Sequence, residues 1–129
     1  NGLLKQVLTA GRYTFWKSVV QHDFVRAAPY AKTAKSRGRA VHLVPGWEQD
    51  KFAVMNLGLY LKFTQHPDLL QRLLATGDEF LIEGNTWHDQ IFGDCVCPQH
   101  LGTPGLNWLG RLLMVTRAGL KDFQTSVSE

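Results

Sequence analysis

Residues Glu79–Gly119 read EFLIEGNTWHDQIFGDCVCPQHLGTPGLNWLGRLLMVTRAG, and the way this stretch changes period decides the fold. Glu79-Phe80-Leu81-Ile82-Glu83 is a short apolar run with the residue types of a strand. From Leu106 to Gly119, Leu109, Leu112, Leu113 and Met114 supply one apolar face and predict a helix. Between them, Gly84 to Gly105 is punctuated by Gly93, Pro98, Gly102 and Pro104 and reads as a long loop. Loops of that length inside compact domains are usually functional or disordered, so the candidate chemistry is sought there.

Upstream, Phe52, Met55, Leu59 and Phe63 recur at three- and four-residue spacing, the stripe of a core-facing helix over Glu48–Thr64. A further helix is predicted over Asp68–Ala75, opened by Pro67 and closed by Thr76-Gly77. Ala40–Val44 alternates and is expected to form a short strand or extended connector before the Pro45-Gly46 turn. Tyr30–Ser36, bracketed by Pro29 and Gly38, predicts a short helix, and Leu3–Val20 mixes helical spacing with aromatics and predicts another. The fold class is therefore α+β: a mainly helical single domain over residues 1–129 with a small β-sheet.

At 129 residues and 44% hydrophobic content the chain is long enough to bury one domain's core. No stretch approaches the roughly eighteen uninterrupted apolar residues that a membrane span needs, and Asn1-Gly2-Leu3-Leu4-Lys5 lacks the layout of a secretory signal. A soluble, cytoplasmic protein with no membrane partner is expected. Cys95 and Cys97 are separated by one residue, a poor geometry for a disulfide and by themselves too few ligands for zinc. Free thiols in a reducing compartment fit them. A metal site joining them to His88 and His100 is the competing reading; ordinary loop cysteines are preferred, and neither metal nor cofactor is expected.

The net charge of +3 is too mild to define a nucleic-acid partner, but the cations are unevenly spread. Arg26, Lys32, Lys35, Arg37 and Arg39 follow one another with no acidic residue between them. Arginine forks and lysine point charges suit phosphate oxygens, although a solvated helix face explains the same pattern.

Several short strings then occur together in a recognisable order. Ala34-Lys35 precedes Gly38-Arg39 and then Trp47; Lys62-Phe63 ends the long helix; Thr76-Gly77-Asp78 and Leu81-Ile82-Glu83 follow. Asp89, Phe92-Gly93-Asp94, Gly105-Leu106-Asn107-Trp108-Leu109-Gly110, Leu113-Met114 and Arg117 complete the series. From about Thr9 to Arg117 the chain resembles the NADAR (YbiA-like) N-glycosidase family, with its AK-x-x-GR, TGD, D-x-x-W-G, G-x-N-x-LG and LM-x-x-R elements. Two substitutions stand out: Gly11, in Thr9–Lys17, occupies the place of the family's catalytic glutamate, and Phe92 that of its usual tryptophan. Family members also carry strands ahead of the first helix, which a domain beginning at Asn1 would lack.

Enzymes of the family cleave the bond between ribose C1 and a nitrogen, in ribosylamino-pyrimidines of the riboflavin pathway or in ADP-ribose attached to guanine. The resemblance implies catalytic positions at Asp89, Lys17 and Gly11. It implies substrate binding at Tyr13, Lys35, Arg39, Trp47, Phe92, Gly93 and Asn107. The implied partner is a nucleotide or ADP-ribosyl substrate, including ADP-ribosylated DNA or RNA. A carboxylate suits the charge that builds on C1 as the bond breaks, a lysine suits covalent capture of an opened sugar, and aromatic rings suit base stacking. Plain structural roles compete: Asn107 as a helix cap, Trp47 and Phe92 as core, Lys17 as a solvated cation. With Gly11 in place of glutamate, a non-catalytic ADP-ribose or nucleotide binder is the second reading, and a general nucleic-acid module built on Arg26–Arg39 the third.

Overall fold

The computed structural model describes residues 25–127, so the predicted helix over Leu3–Val20 lies outside the described residues. The chain divides into two compact units, Asn1–Trp47 and Glu48–Glu129. The described residues are mainly helical, with four helices and one two-stranded sheet, the α+β make-up expected from the sequence. No helix among them is long and apolar enough to cross a membrane.

In the first unit, helix α1 (Ala31–Arg39) runs through Gly38 rather than stopping at it. A glycine in a final turn costs some backbone entropy but breaks no hydrogen bond. The helix closes at Ala40, whose N–H donates to the Arg37 carbonyl at 3.0 Å. Arg37 and Arg39 lie in the last turn, where positive charge complements the helix dipole. Residues 42–44 form an extended connector, not a paired strand, and Gly46 takes φ 85° in the turn that follows.

The second unit is built on helices α2 (Trp47–Gln65), α3 (Pro67–Leu74) and α4 (Trp108–Val127). The periodic stripe on α2 becomes core: Leu59 and Phe63 are buried with Leu73 of α3 and Leu120 of α4. Met55, Leu69, Leu70, Leu81, Leu109, Leu112 and Leu113 pack around them. Each such side chain, fully buried, contributes about 1.5–3 kcal/mol. Pro67 begins α3, where a missing N–H does no harm, and Gly77 at φ 58° turns the chain away after it. Arg117 of α4 is buried and donates to the Thr76 hydroxyl at 2.8 Å, tying the last helix to the turn after α3.

The segment predicted as a strand at Glu79–Glu83 forms none of its own, although its Glu83 carbonyl accepts from the Asp94 N–H at 2.8 Å. The sheet consists of β1 (Gly84–Asn85) and β2 (Asp94–Cys95), parallel, with Gly84 opposite Asp94 and Asn85 opposite Cys95. Upstream of that Glu83 carbonyl the pairing is continued by a side chain. The Asn107 amide accepts from the Glu83 N–H and donates to the Leu81 carbonyl, both at 2.9 Å, as a neighbouring strand would.

This clamp needs close approach, and Gly110 supplies it. A Cβ there would overlap the Leu81 carbonyl oxygen and lie 2.5 Å from the Asn107 amide. Gly110→Ala is expected to cost about 1–3 kcal/mol by overpacking. Gly119→Ala, on the same helix with nothing within 4 Å of its Cβ, should instead gain roughly 0.5–1 kcal/mol. Thermal unfolding of the pair checks this: equal midpoints would rule out the contact as described.

Candidate functional site

The segment between β1 and α4 is long, as expected, yet its polar side chains staple it to its own backbone. Asn85, 3% exposed, donates to the Asp89 carbonyl at 2.8 Å and accepts from the Asp89 N–H at 3.1 Å. Asp89 Oδ1 accepts from the N–H groups of Ile91 and Phe92 at 3.0 and 2.9 Å, an Asx turn that reverses the chain. Gln90 accepts from the Cys95 N–H at 2.7 Å and donates to the Thr103 carbonyl at 2.8 Å. Asp94 accepts from the Gly105 N–H at 2.9 Å. These bonds allow parallel strands to be joined through residues 86–93, far shorter than the dozen or more residues of an ordinary crossover.

The loop also fills the start of α4. The N–H groups of Leu106, Asn107, Trp108 and Leu109 donate to the carbonyls of Gln90, Gly93, Ile91 and Phe92, at 2.8–3.1 Å. A free helix N-terminus attracts anions, but here its first two donors, Trp108 and Leu109, are already engaged by backbone. Asn107 stands immediately before the helix at φ 52°, and its side chain turns to Leu81 and Glu83 instead of capping α4.

Among the predicted site residues, Asp89, Phe92, Gly93 and Asn107 come together around this loop. Asp89 keeps Oδ2 outside its turn, on a half-buried residue. The half-buried Phe92 ring lies 5.5 Å from Phe52, which lies 5.2 Å from Trp108, making a tilted aromatic row. Gly93 is a close-approach residue: its Cβ would overlap the Glu83 carboxylate and stand 2.6 Å from the Glu83 carbonyl. Lys35 and Arg39 lie one turn apart on α1, both exposed, and Trp47 is half-buried in the same unit. Gly11, Tyr13 and Lys17 lie outside the described residues.

Sequence reasoning missed Phe52 and Trp108 as partners of Phe92: helical periodicity assigns Phe52 to packing, and Trp108 entered only as part of the Gly105–Gly110 string. It set aside a second grouping. His88, Cys95, Cys97 and His100 converge in this loop, with one potential ligand atom from each lying within 4.8 Å of the others. Burial pushes the Cys95 thiol up. Backbone and side-chain hydrogen bonds with Cys97 and a backbone hydrogen bond with His88 outweigh that, against opposition from Asp94, and leave it below its ordinary value. A cavity of about 240 Å³ lined by Asp94, Cys95, His100 and Thr103 opens beside the group. A second cavity, of about 460 Å³ between α2 and α4, offers no carboxylate, amine or imidazole.

The arrangement defines a class: a small, mainly helical α+β domain whose carboxylate, thiol and imidazole groups gather in one stapled loop ahead of its last helix. The chain belongs to the NADAR domain family, whose model matches residues 4–121. It is 38% identical over 77 residues to an N-glycosidase of Acanthamoeba polyphaga mimivirus, covering 55% of this chain and 45% of that one. It is 36% identical over 94 residues to N-glycosidase YbiA of Escherichia coli, covering 73% of this chain and 55% of that one. It is 38% identical over 72 residues to the chloroplastic riboflavin biosynthesis protein PYRR of Zea mays, covering 56% of this chain and 11% of that one. The chain thus spans about half the length of the N-glycosidases it matches. No solved structure matches it.

Proposed function

We propose that the chain is an N-glycosidase domain hydrolysing the C1–N bond of an N-ribosylated nucleotide, either ADP-ribosylated guanine or a ribosylamino-pyrimidine phosphate of the riboflavin pathway. The observation that carries this reading is the Asp89 turn: a carboxylate aimed by two backbone N–H groups, one turn from the Phe92 ring. Two of the relatives are N-glycosidases by name, and a third is a riboflavin biosynthesis protein.

As the C–N bond breaks, positive charge develops on C1 and the ring oxygen, and a nearby carboxylate stabilises it or activates water. Asp89 serves in that role through Oδ2. Phe92, backed by Phe52, offers a face for the base. Lys35 and Arg39 suit the phosphates, Tyr13 and Trp47 belong to the substrate-binding set, and Lys17 suits capture of the opened sugar or neutralisation of phosphate. Gly93 and Asn107 contribute to binding through the loop backbone they hold in place. A nucleotide substrate and free thiols support a cytoplasmic protein acting on nucleotides or on ADP-ribosylated DNA or RNA.

Gly11 favours a second reading, a non-catalytic binder of ADP-ribose. Losing one carboxylate commonly removes rate while leaving binding in place. Incubation with an ADP-ribosylated guanine oligonucleotide and with a ribosylamino-pyrimidine phosphate distinguishes the two, and release of free base is expected. No product from either, with turnover gained in Gly11→Glu, would establish the binder. No product from either protein, and no heat on titration with millimolar ADP-ribose, would defeat both.

A further inference from the structure

His88, Cys95, Cys97 and His100 lie within thirteen residues of one another in sequence (88 to 100 inclusive), in the spacing H-x6-C-x-C-x2-H. The spacing is irregular, but the fold makes it compact. The parallel pairing of β1 with β2 brings Cys95 back beside the segment that carries His88, and the turn closed by the His100 N–H on the Cys97 carbonyl, 3.0 Å, brings His100 under Cys97. Cys95 and Cys97 are 2% and 8% exposed, and both are free thiols.

From this geometry we infer that the four side chains form a structural zinc site. With Zn–S near 2.3 Å and Zn–N near 2.05 Å, a regular tetrahedron has edges of about 3.6 Å from sulfur to nitrogen and about 3.3 Å between nitrogens. The Cys97 Sγ lies 3.4 Å from His88 Nδ1 and 3.2 Å from His100 Nδ1, and the two Nδ1 atoms are 3.4 Å apart. These three edges therefore fall within a few tenths of an ångström of a zinc polyhedron. Cys95 supplies the fourth corner, within 4.8 Å of all the others.

Two further features agree. His88 is held at φ 69°, a left-handed conformation that a non-glycine residue keeps only where its surroundings enforce it. The loop also lacks an apolar centre of its own: Trp87, Ile91, Val96 and Leu101 are exposed, and the buried side chains between 88 and 100 are the two cysteines. Two imidazoles and two thiolates in a tetrahedron select zinc among common divalent ions, and four protein ligands leave no open position, as in sites that hold structure. His88 immediately precedes Asp89, so the ion would fasten the turn that aims the carboxylate. The site stands independently of the N-glycosidase reading.

The test uses the full chain purified without immobilised-metal chromatography and analysed by inductively coupled plasma mass spectrometry. About one zinc per chain is expected. Zinc removed with a chelator should lower the unfolding midpoint, and its return should restore it. Cobalt(II) added to the stripped chain should give the intense visible bands and thiolate charge transfer of a tetrahedral ion. Cys97→Ser and His100→Ala should each lose these bands and most of the zinc. Measurements on the unaltered chain decide the matter even if a variant unfolds: the weak spectrum of six-coordinate cobalt, with substoichiometric zinc and an unmoved midpoint, would overturn the inference.

Discussion

Asn107→Ala is expected to lower the stability of the chain by at least about 3 kcal/mol, a large share of the roughly 5–15 kcal/mol that holds a domain together. Asn107 is 6% exposed, and both ends of its amide are bonded, to the Glu83 N–H and the Leu81 carbonyl. Truncation leaves a donor and an acceptor without partners where water has little access, at about 1–3 kcal/mol each. Alanine must also take over a backbone at φ 52°, which asparagine adopts readily and alanine at about 1–2 kcal/mol. Asn107→Gly separates these effects. It removes the amide but relieves the backbone, so its loss should be about 1 kcal/mol smaller than that of alanine. Urea unfolding measures both, with the slope unchanged if only the folded state is weakened. A loss under about 1 kcal/mol for alanine would mean that solvent replaces the clamp.

The same residue marks where sequence reading reaches its limit. Helices α2, α3 and α4 were legible because burial of one face imprints a period on the sequence, and Phe52, Met55, Leu59 and Phe63 carry that imprint into the structure. Strand pairing leaves no such mark when the partner is a single amide twenty-four residues away, as Asn107 is from Glu83. Glu79–Glu83 therefore has strand composition but meets the sheet at its last carbonyl, Glu83, which accepts from the Asp94 N–H. Asn107, read as a cap or a pocket residue, continues the ladder with both ends of its amide. Arg117 and Thr76 show the converse: two motif fragments that looked unrelated in sequence meet through one 2.8 Å hydrogen bond.

The loop from Gly84 to Gly105 was legible as a place, not as an object. Turn residues announce irregular backbone, but they do not reveal that Asn85, Asp89, Gln90 and Asp94 fold back on it. For the same reason Cys95 and Cys97 looked like a pair too close to bridge. Their imidazole partners, His88 and His100, could be named from sequence as a competing reading, but the irregular H-x6-C-x-C-x2-H spacing did not favour it, because chain reversal is what brings them together.

Asp89 now has two roles to separate, and an isosteric change does so. Asp89→Asn retains an Oδ1 that can accept from Ile91 and Phe92, so the turn should persist and the unfolding midpoint should move by only a few degrees, about what a change under 1 kcal/mol produces. The negative charge is lost. If the carboxylate stabilises the developing ribosyl cation or activates water, kcat should fall by about 10²–10⁴, with KM changed little because the neutral ground state gains little from that charge. Asp89→Ala should add instability to the same loss of rate, since two backbone N–H groups then lack their acceptor. The comparison is made on release of free base, in the unaltered chain or in Gly11→Glu, whichever turns over. A kcat for Asp89→Asn within about threefold of its parent, beside an unstable Asp89→Ala, would leave Asp89 as the builder of the turn and move the catalytic role elsewhere.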